Sequence, residues 1–127
     1  MQEKDLFEYA VIRVVPRVER EEFLNVGVIL YCAKQKFLQT KFKLDEKRLQ
    51  AFCAEIDVDG LQKNLQALEQ ISLGNAAGGA IGKLDIASRF RWLTATRSTV
   101  VQASKVHPGF CNDAKDTLEK LYIELVL

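Results

Sequence analysis

The chain is poor in histidine and proline and has almost no surplus of either charge. A single histidine, His107, stands among 127 residues, so a metal site built from several imidazoles is excluded. The three cysteines, Cys32, Cys53 and Cys111, are odd in number and far apart, with no C-x-x-C pair. That spacing argues against a disulfide framework or a zinc site. Cys32 and Cys53 fall on apolar periodic positions, where a small buried thiol is the expected role. Net charge is +1, from 18 basic and 17 acidic residues. A nucleic-acid-binding domain is usually visibly basic, so that partner is disfavoured. No apolar run reaches the length of a membrane span, and MQEKDLFEY is acidic where a signal peptide would be basic and then apolar. The reading is a cytoplasmic, membrane-free protein with no cofactor and no metal.

What is present suits one packed unit. Hydrophobic residues make up 48% and charged residues 28%, which excludes wholesale disorder. A chain of this length forms one domain, residues 1–127, and buries about two-thirds of its unfolded surface.

The hydrophobic period changes along the chain. Residues 8–15, EYAVIRVV, read as a strand stopped by Pro16, followed by the charged turn RVERE. Phe23 to Cys32 is a second strand and Phe37 to Leu44 a third, joined by AKQK. Leu38, Thr40, Phe42 and Leu44 alternate with Gln39, Lys41 and Lys43, as a half-buried strand requires. Behind Asp45, residues Leu49, Phe52, Cys53 and Ile56 take helical spacing; behind Asp59, so do Leu61, Leu65, Leu68 and Ile71, with Gly74 as the stop. GNAAGGAIG (74–82) reads as a flexible loop, DIASRFRWL (85–93) as a short helix, TVVQAS (99–104) as a fourth strand and VHPGFC as a loop. Asn112 is the predicted cap of a last helix lined by Ala114, Leu118, Leu121, Tyr122 and Leu125. The fold class is α+β: an antiparallel meander of three N-terminal strands plus a later strand, with amphipathic helices packed on one face.

Within EEFLNVGVIL (21–30), a polar Asn-x-Gly interrupts an apolar strand. Strict alternation puts Leu24, Val26, Val28, Leu30 and Cys32 on a core face, and Phe23, Asn25, Gly27, Ile29 and Tyr31 on the other. Hairpin register then predicts Arg13 opposite Asn25, Val11 opposite Gly27, Lys43 beside Asn25 and Lys41 beside Gly27. One face would collect Arg13, Asn25, Gly27, Lys41 and Lys43 and suit an anion. The competing reading is a bulge at the Asn-x-Gly and a simply solvated face.

Other motifs are weaker. AGGAIGKL (77–84) imitates a P-loop but has Ala77 for the first glycine, Leu84 for Ser/Thr, and no preceding strand. SRFRWLTATR (88–97) interleaves Arg89, Arg91 and Arg97 with Phe90 and Trp92, a pattern able to stack on bases, although Ile86, Phe90 and Leu93 also form a core stripe. His107 could serve as a general base oriented by Glu22 or Glu21, but Pro108 and Gly109 explain the segment as a turn.

The order YAVIRVVPRVEREEFLNVGVILYC, RFRWLTATRSTVVQAS, then VHPGF and a terminal helix resembles the DUF3037 family of small bacterial proteins of unknown function. Arg13, Pro16, Glu22, Asn25, Val26 and Gly27 fit its R-x-x-P…E-x-x-N-V-G pattern. The resemblance implies an accessory role beside a HipA-like kinase-fold protein. Three readings follow. The first is a binding, adaptor or regulatory module that uses Arg13, Asn25, Gly27, Lys41, Lys43 and Arg97. The second is an enzyme acting on a phosphorylated or nucleotide-like substrate through Arg13, Arg97, His107 and Glu22. The third is a nucleic-acid binder through Arg89, Phe90, Arg91 and Trp92.

Overall fold

Three consecutive strands build the centre of the molecule: β1 (Asp5–Val14), β2 (Leu24–Cys32) and β3 (Phe37–Phe42). The computed structural model describes residues 4–95, 97 and 99–127; the start of the N-terminal acidic stretch and Thr96 of the basic–aromatic segment lie outside them. After the meander come α1 (Glu46–Phe52), α2 (Val58–Leu73), α3 (Gly79–Gly82), α4 (Ile86–Leu93), β4 (Val101–Ala103), β5 (His107–Cys111) and α5 (Ala114–Leu125). The sheet is antiparallel in the order β3-β2-β1-β4, and β5 also pairs with β1. β4 and β5 lie end to end along the β1 edge that β2 leaves open, against Ile12–Val14 and Asp5–Tyr9 respectively.

The α+β meander expected from the sequence is therefore present, and β5 is an addition to it. The segment read as a loop is a strand that pairs with β1 at the sheet's edge, a position where Pro108 is tolerated. Gly109 is needed there, since an added Cβ would lie 2.5 Å from the Phe7 ring.

Helices cover both faces, where the sequence suggested one. On the first face Ile12, Val14, Val26, Ile29 and Leu38 pack with Leu49 of α1, Leu61, Leu65 and Leu68 of α2, and Phe90 and Leu93 of α4. On the second, Phe7, Val28, Leu30, Cys32 and Cys111 pack under Ala114, Leu118 and Tyr122 of α5. Burial holds the Cys111 thiol above its ordinary pKa, and the neighbouring Cys32 adds to the effect.

Caps set the helix starts. The side chains of Asp45, Asp57, Asp85 and Asp113 accept from backbone N–H groups of α1, α2, α4 and α5. Two of these caps differ from expectation: Asp57 replaces Asp59, and Asp113 replaces Asn112. Gly74 ends α2 in the left-handed region at φ 71. Residues 74–82 are not a plain loop: a 3-10 turn (Ala76–Gly78) and α3 occupy them. Among the described residues no helix is long and apolar enough to cross a membrane.

Candidate functional site

A β-bulge decides what the Asn-x-Gly does. β1 and β2 pair in register from Glu8↔Tyr31 to Ile12↔Gly27, and the next pair is Arg13↔Asn25, leaving Val26 as an extra residue. The alternation inverts there. Val26 joins the first-face core with Ile29, while Asn25 moves to the second face with Val28 and Leu30. Asn25 and Gly27 thus lie on opposite faces, and the shared polar notch does not form. Arg13 does face Asn25 as expected, but Ile12, not Val11, faces Gly27.

The β2–β3 register also differs by one residue. Gly27 pairs with Phe42 and Val28 with Lys41, because the tight turn spans Ala33–Lys36, with Lys36 at φ 51, and is not centred on Lys34. Gly27 is a close-approach position. A Cβ there would stand 2.8 Å from the Lys41 carbonyl oxygen and 2.8 Å from Phe42 Cβ.

The polar residues gathered on the second face are engaged by the chain's own last helix. Asn25 Nδ2 donates to the Leu125 carbonyl at 3.1 Å, and Arg48 of α1 donates to the Val126 carbonyl at 3.1 Å. The last carbonyls of a helix lack intrahelical donors and carry its negative end, so an amide and a guanidinium are suitable partners. Lys41 forms an ion pair with Glu119 and lies 4.8 Å from the Tyr122 ring centroid. At the other end of α5, Gln35 accepts from Ala114 N at 2.9 Å while donating to the Asn112 carbonyl at 3.0 Å and to Asp5 Oδ2 at 2.9 Å. α5 is therefore clamped at both termini. Arg13 stacks on Phe23, 4.0 Å from its centroid. Its Nε and Asn25 Oδ1 are buried without a hydrogen-bond partner, a complementary donor and acceptor on facing residues. Lys43, past the end of β3, is exposed.

The remaining candidates lie apart. Glu22 is exposed and pairs with Arg20, on the rim of a cavity of about 360 Å³ between the β1–β2 connection and the end of α1. His107 pairs with Tyr9 across the β1–β5 ladder, ring centroids 5.3 Å apart, and is exposed. Arg97 donates to the Trp92 carbonyl at 2.6 Å and stacks 4.4 Å from the Trp92 centroid, closing the end of α4. Arg89 donates to the Ile71 and Ser72 carbonyls at 3.1 and 2.9 Å, closing α2. Phe90 is core. Among the described residues no hydrogen bond or ion pair joins Glu22, His107, Arg13 and Arg97, and no three His, Cys, Asp or Glu residues gather as metal ligands would.

Residues 9–126 match the family model described as a protein of unknown function (DUF3037). The chain belongs to the DUF3037 family. The match begins within β1, leaving out Asp5–Glu8, and takes in β2 to β5 and the whole of α5, so the sheet and the clamped helix fall within one family unit. No curated protein and no solved structure matches the chain.

Sequence reasoning missed Gln35 and Arg48, which look like ordinary solvated residues of a turn and a helix. It also missed the corner of the sheet where β1 begins. There Leu6 and Phe110 pair across the ladder, 51% and 68% exposed. By alternation along β1, Leu6 shares the face of Ile12, and Phe110 stands opposite it. With VHPGFC read as a loop, no signal paired the two.

Proposed function

We propose that this DUF3037 domain is a protein-binding module whose contact surface is the corner formed by the start of β1 and β5. The observation that carries this reading is the Leu6–Phe110 pair: two large apolar side chains, side by side and mostly in water. A cluster of exposed apolar groups is costly unless a partner covers it. Among the described residues β5 pairs only with β1, so its outer edge offers backbone groups to an added strand. Pro108, lacking an N–H, limits how far such pairing extends.

A HipA-like kinase-fold protein, implied by the family resemblance, is the partner to try first. The experiment is capture of such a protein from the same genome on immobilised wild-type domain, Phe110→Glu, Leu6→Glu and Arg13→Ala. Loss of capture with the two acidic variants and retention with Arg13→Ala is the expected pattern. Equal capture by all four proteins would remove the corner as the contact surface. Equal loss by all three variants would shift the contact toward the Arg13–Phe23 stack.

A further inference from the structure

A cleft lies on the opposite side of the molecule, between the β1–β2 connection and the α1–α2 connection. It has two adjoining chambers, of about 360 and 390 Å³, each large enough for a small molecule. Pro16, Arg17, Cys53 and Glu55 line both chambers and so mark their junction. The second chamber continues past them onto Ile56, Leu61 and Val100.

The charges in this cleft fall into two kinds. Arg20 and Glu22 neutralise each other, and Asp57 is occupied as the α2 cap, accepting from Gly60 N at 3.0 Å. Arg17 and Glu55 are different: among the described residues neither side chain has a hydrogen bond or an ion pair. One exposed, unpaired cation and one exposed, unpaired anion therefore stand at the junction, and the chamber beyond is mixed, its apolar side of Ile56, Leu61 and Val100 facing Asp57 and Asn64. A ligand with only a negative charge would meet Glu55 and Asp57, and one with only a positive charge would meet Arg17. A neutral apolar ligand would leave both charges unmatched.

We propose that the cleft binds a free apolar α-amino acid. Its carboxylate faces Arg17, its ammonium faces Glu55, and its side chain enters the chamber of Ile56, Leu61 and Val100. Guanidinium–carboxylate and ammonium–carboxylate contacts are both charge-assisted and supply most of the selectivity. A peptide terminus carries only one of the two charges, so the free zwitterion is the occupant.

Cys53 is a built-in reporter. It is the only partly exposed cysteine, while Cys32 and Cys111 are buried. The experiment follows alkylation of the native chain by iodoacetamide, read by intact mass, with leucine or phenylalanine present at up to about 10 mM. Calorimetric titration of the same amino acids serves as a second readout, in case the ligand leaves Cys53 reachable. Leucine or phenylalanine is expected to protect Cys53 or release heat. N-acetyl-leucine, leucine amide and glycine each lack one recognised group and should bind about tenfold more weakly or worse. Arg17→Ala and Glu55→Gln change exposed side chains, so the fold persists, and each should erase the preference for the free zwitterion. Silence in both readouts for leucine and phenylalanine overturns the proposal. So does N-acetyl-leucine or leucine amide binding as well as leucine.

Discussion

Asn25 of β2 donates a hydrogen bond to the carbonyl oxygen of Leu125, 3.1 Å away and 100 residues further along the chain. This contact holds the end of α5 against the bulged part of the sheet. Asn25→Ala is expected to cost about 1 kcal/mol, the net worth of a part-buried hydrogen bond, because it also removes the unpartnered Oδ1. Asn25→Asp, nearly the same shape, should cost more at neutral pH because it sets a carboxylate against the negative end of a helix. Part of that loss should return in acid, where a protonated carboxyl can donate. Urea unfolding at two pH values measures both effects; equal stability of the Ala and Asp variants across pH would count against the contact.

Gly27→Ala tests the close approach of β2 to β3. The new methyl would meet a backbone oxygen and a Cβ, neither of which can swing aside. Overpacking of this kind costs about 1–3 kcal/mol. Lys43→Ala, at an exposed position one strand away, should leave the unfolding midpoint within error.

The Lys41–Glu119 ion pair joins β3 to α5, but both side chains are partly solvated, 35% and 44% exposed. A double-mutant cycle should give a coupling below about 1 kcal/mol, reduced further by salt. Lys41→Ala alone should cost more than this coupling, since the lysine stem also packs beside Tyr122.

Asp85 caps α4, and its hydrogen bonds to the side chain and then the backbone of Ser88 hold its carboxyl below the ordinary aspartate pKa. A carboxyl whose folded pKa is depressed stabilises the fold above its unfolded pKa. That contribution is lost as pH falls through the folded value. Thermal unfolding of wild type should therefore lose stability in acid more steeply than Asp85→Ala, with the two curves converging below the ordinary aspartate range. Parallel curves would show that the cap does not depend on its charge.

Local rules carried much of the fold. Apolar runs bounded by Pro16 and AKQK, with the alternation of Leu38 to Leu44, found β1 to β3, and helical spacing of apolar residues found α1, α2 and α5, because these signals come from neighbours in sequence; α3 lay in the stretch read as a loop. Two features defeated this logic for different reasons. The bulge at Val26 adds one residue, which inverts every face assignment on its N-terminal side, and alternation cannot detect an inserted step. Asn25 was rightly singled out as needing partners, yet its partner is a main-chain carbonyl in α5, and no side-chain pattern encodes that. β5 escaped notice because Pro108 and Gly109 are poor strand formers taken alone. Pairing with β1 and the Phe7 ring over Gly109 supply what local preference lacks. The second buried face was hidden for a related reason: β2 is apolar on both sides, and periodicity cannot say which side meets water.

The way β1 is paired has a consequence for how the chain acquires its structure during synthesis. β1 meets β2 after a nine-residue connection and β2 meets β3 after a tight turn, so the meander is stitched by contacts close in sequence and can assemble early. Its other edge waits for β4 and β5, and the second face waits for α5, all drawn from the last 27 residues. Until those residues leave the ribosome, the nascent chain carries an open strand edge and bare Val28, Leu30 and Cys32. Aggregation pressure should therefore concentrate in this interval. A chain cut before residue 101 would hold that exposed state permanently, and folding assistance would matter most at the final step.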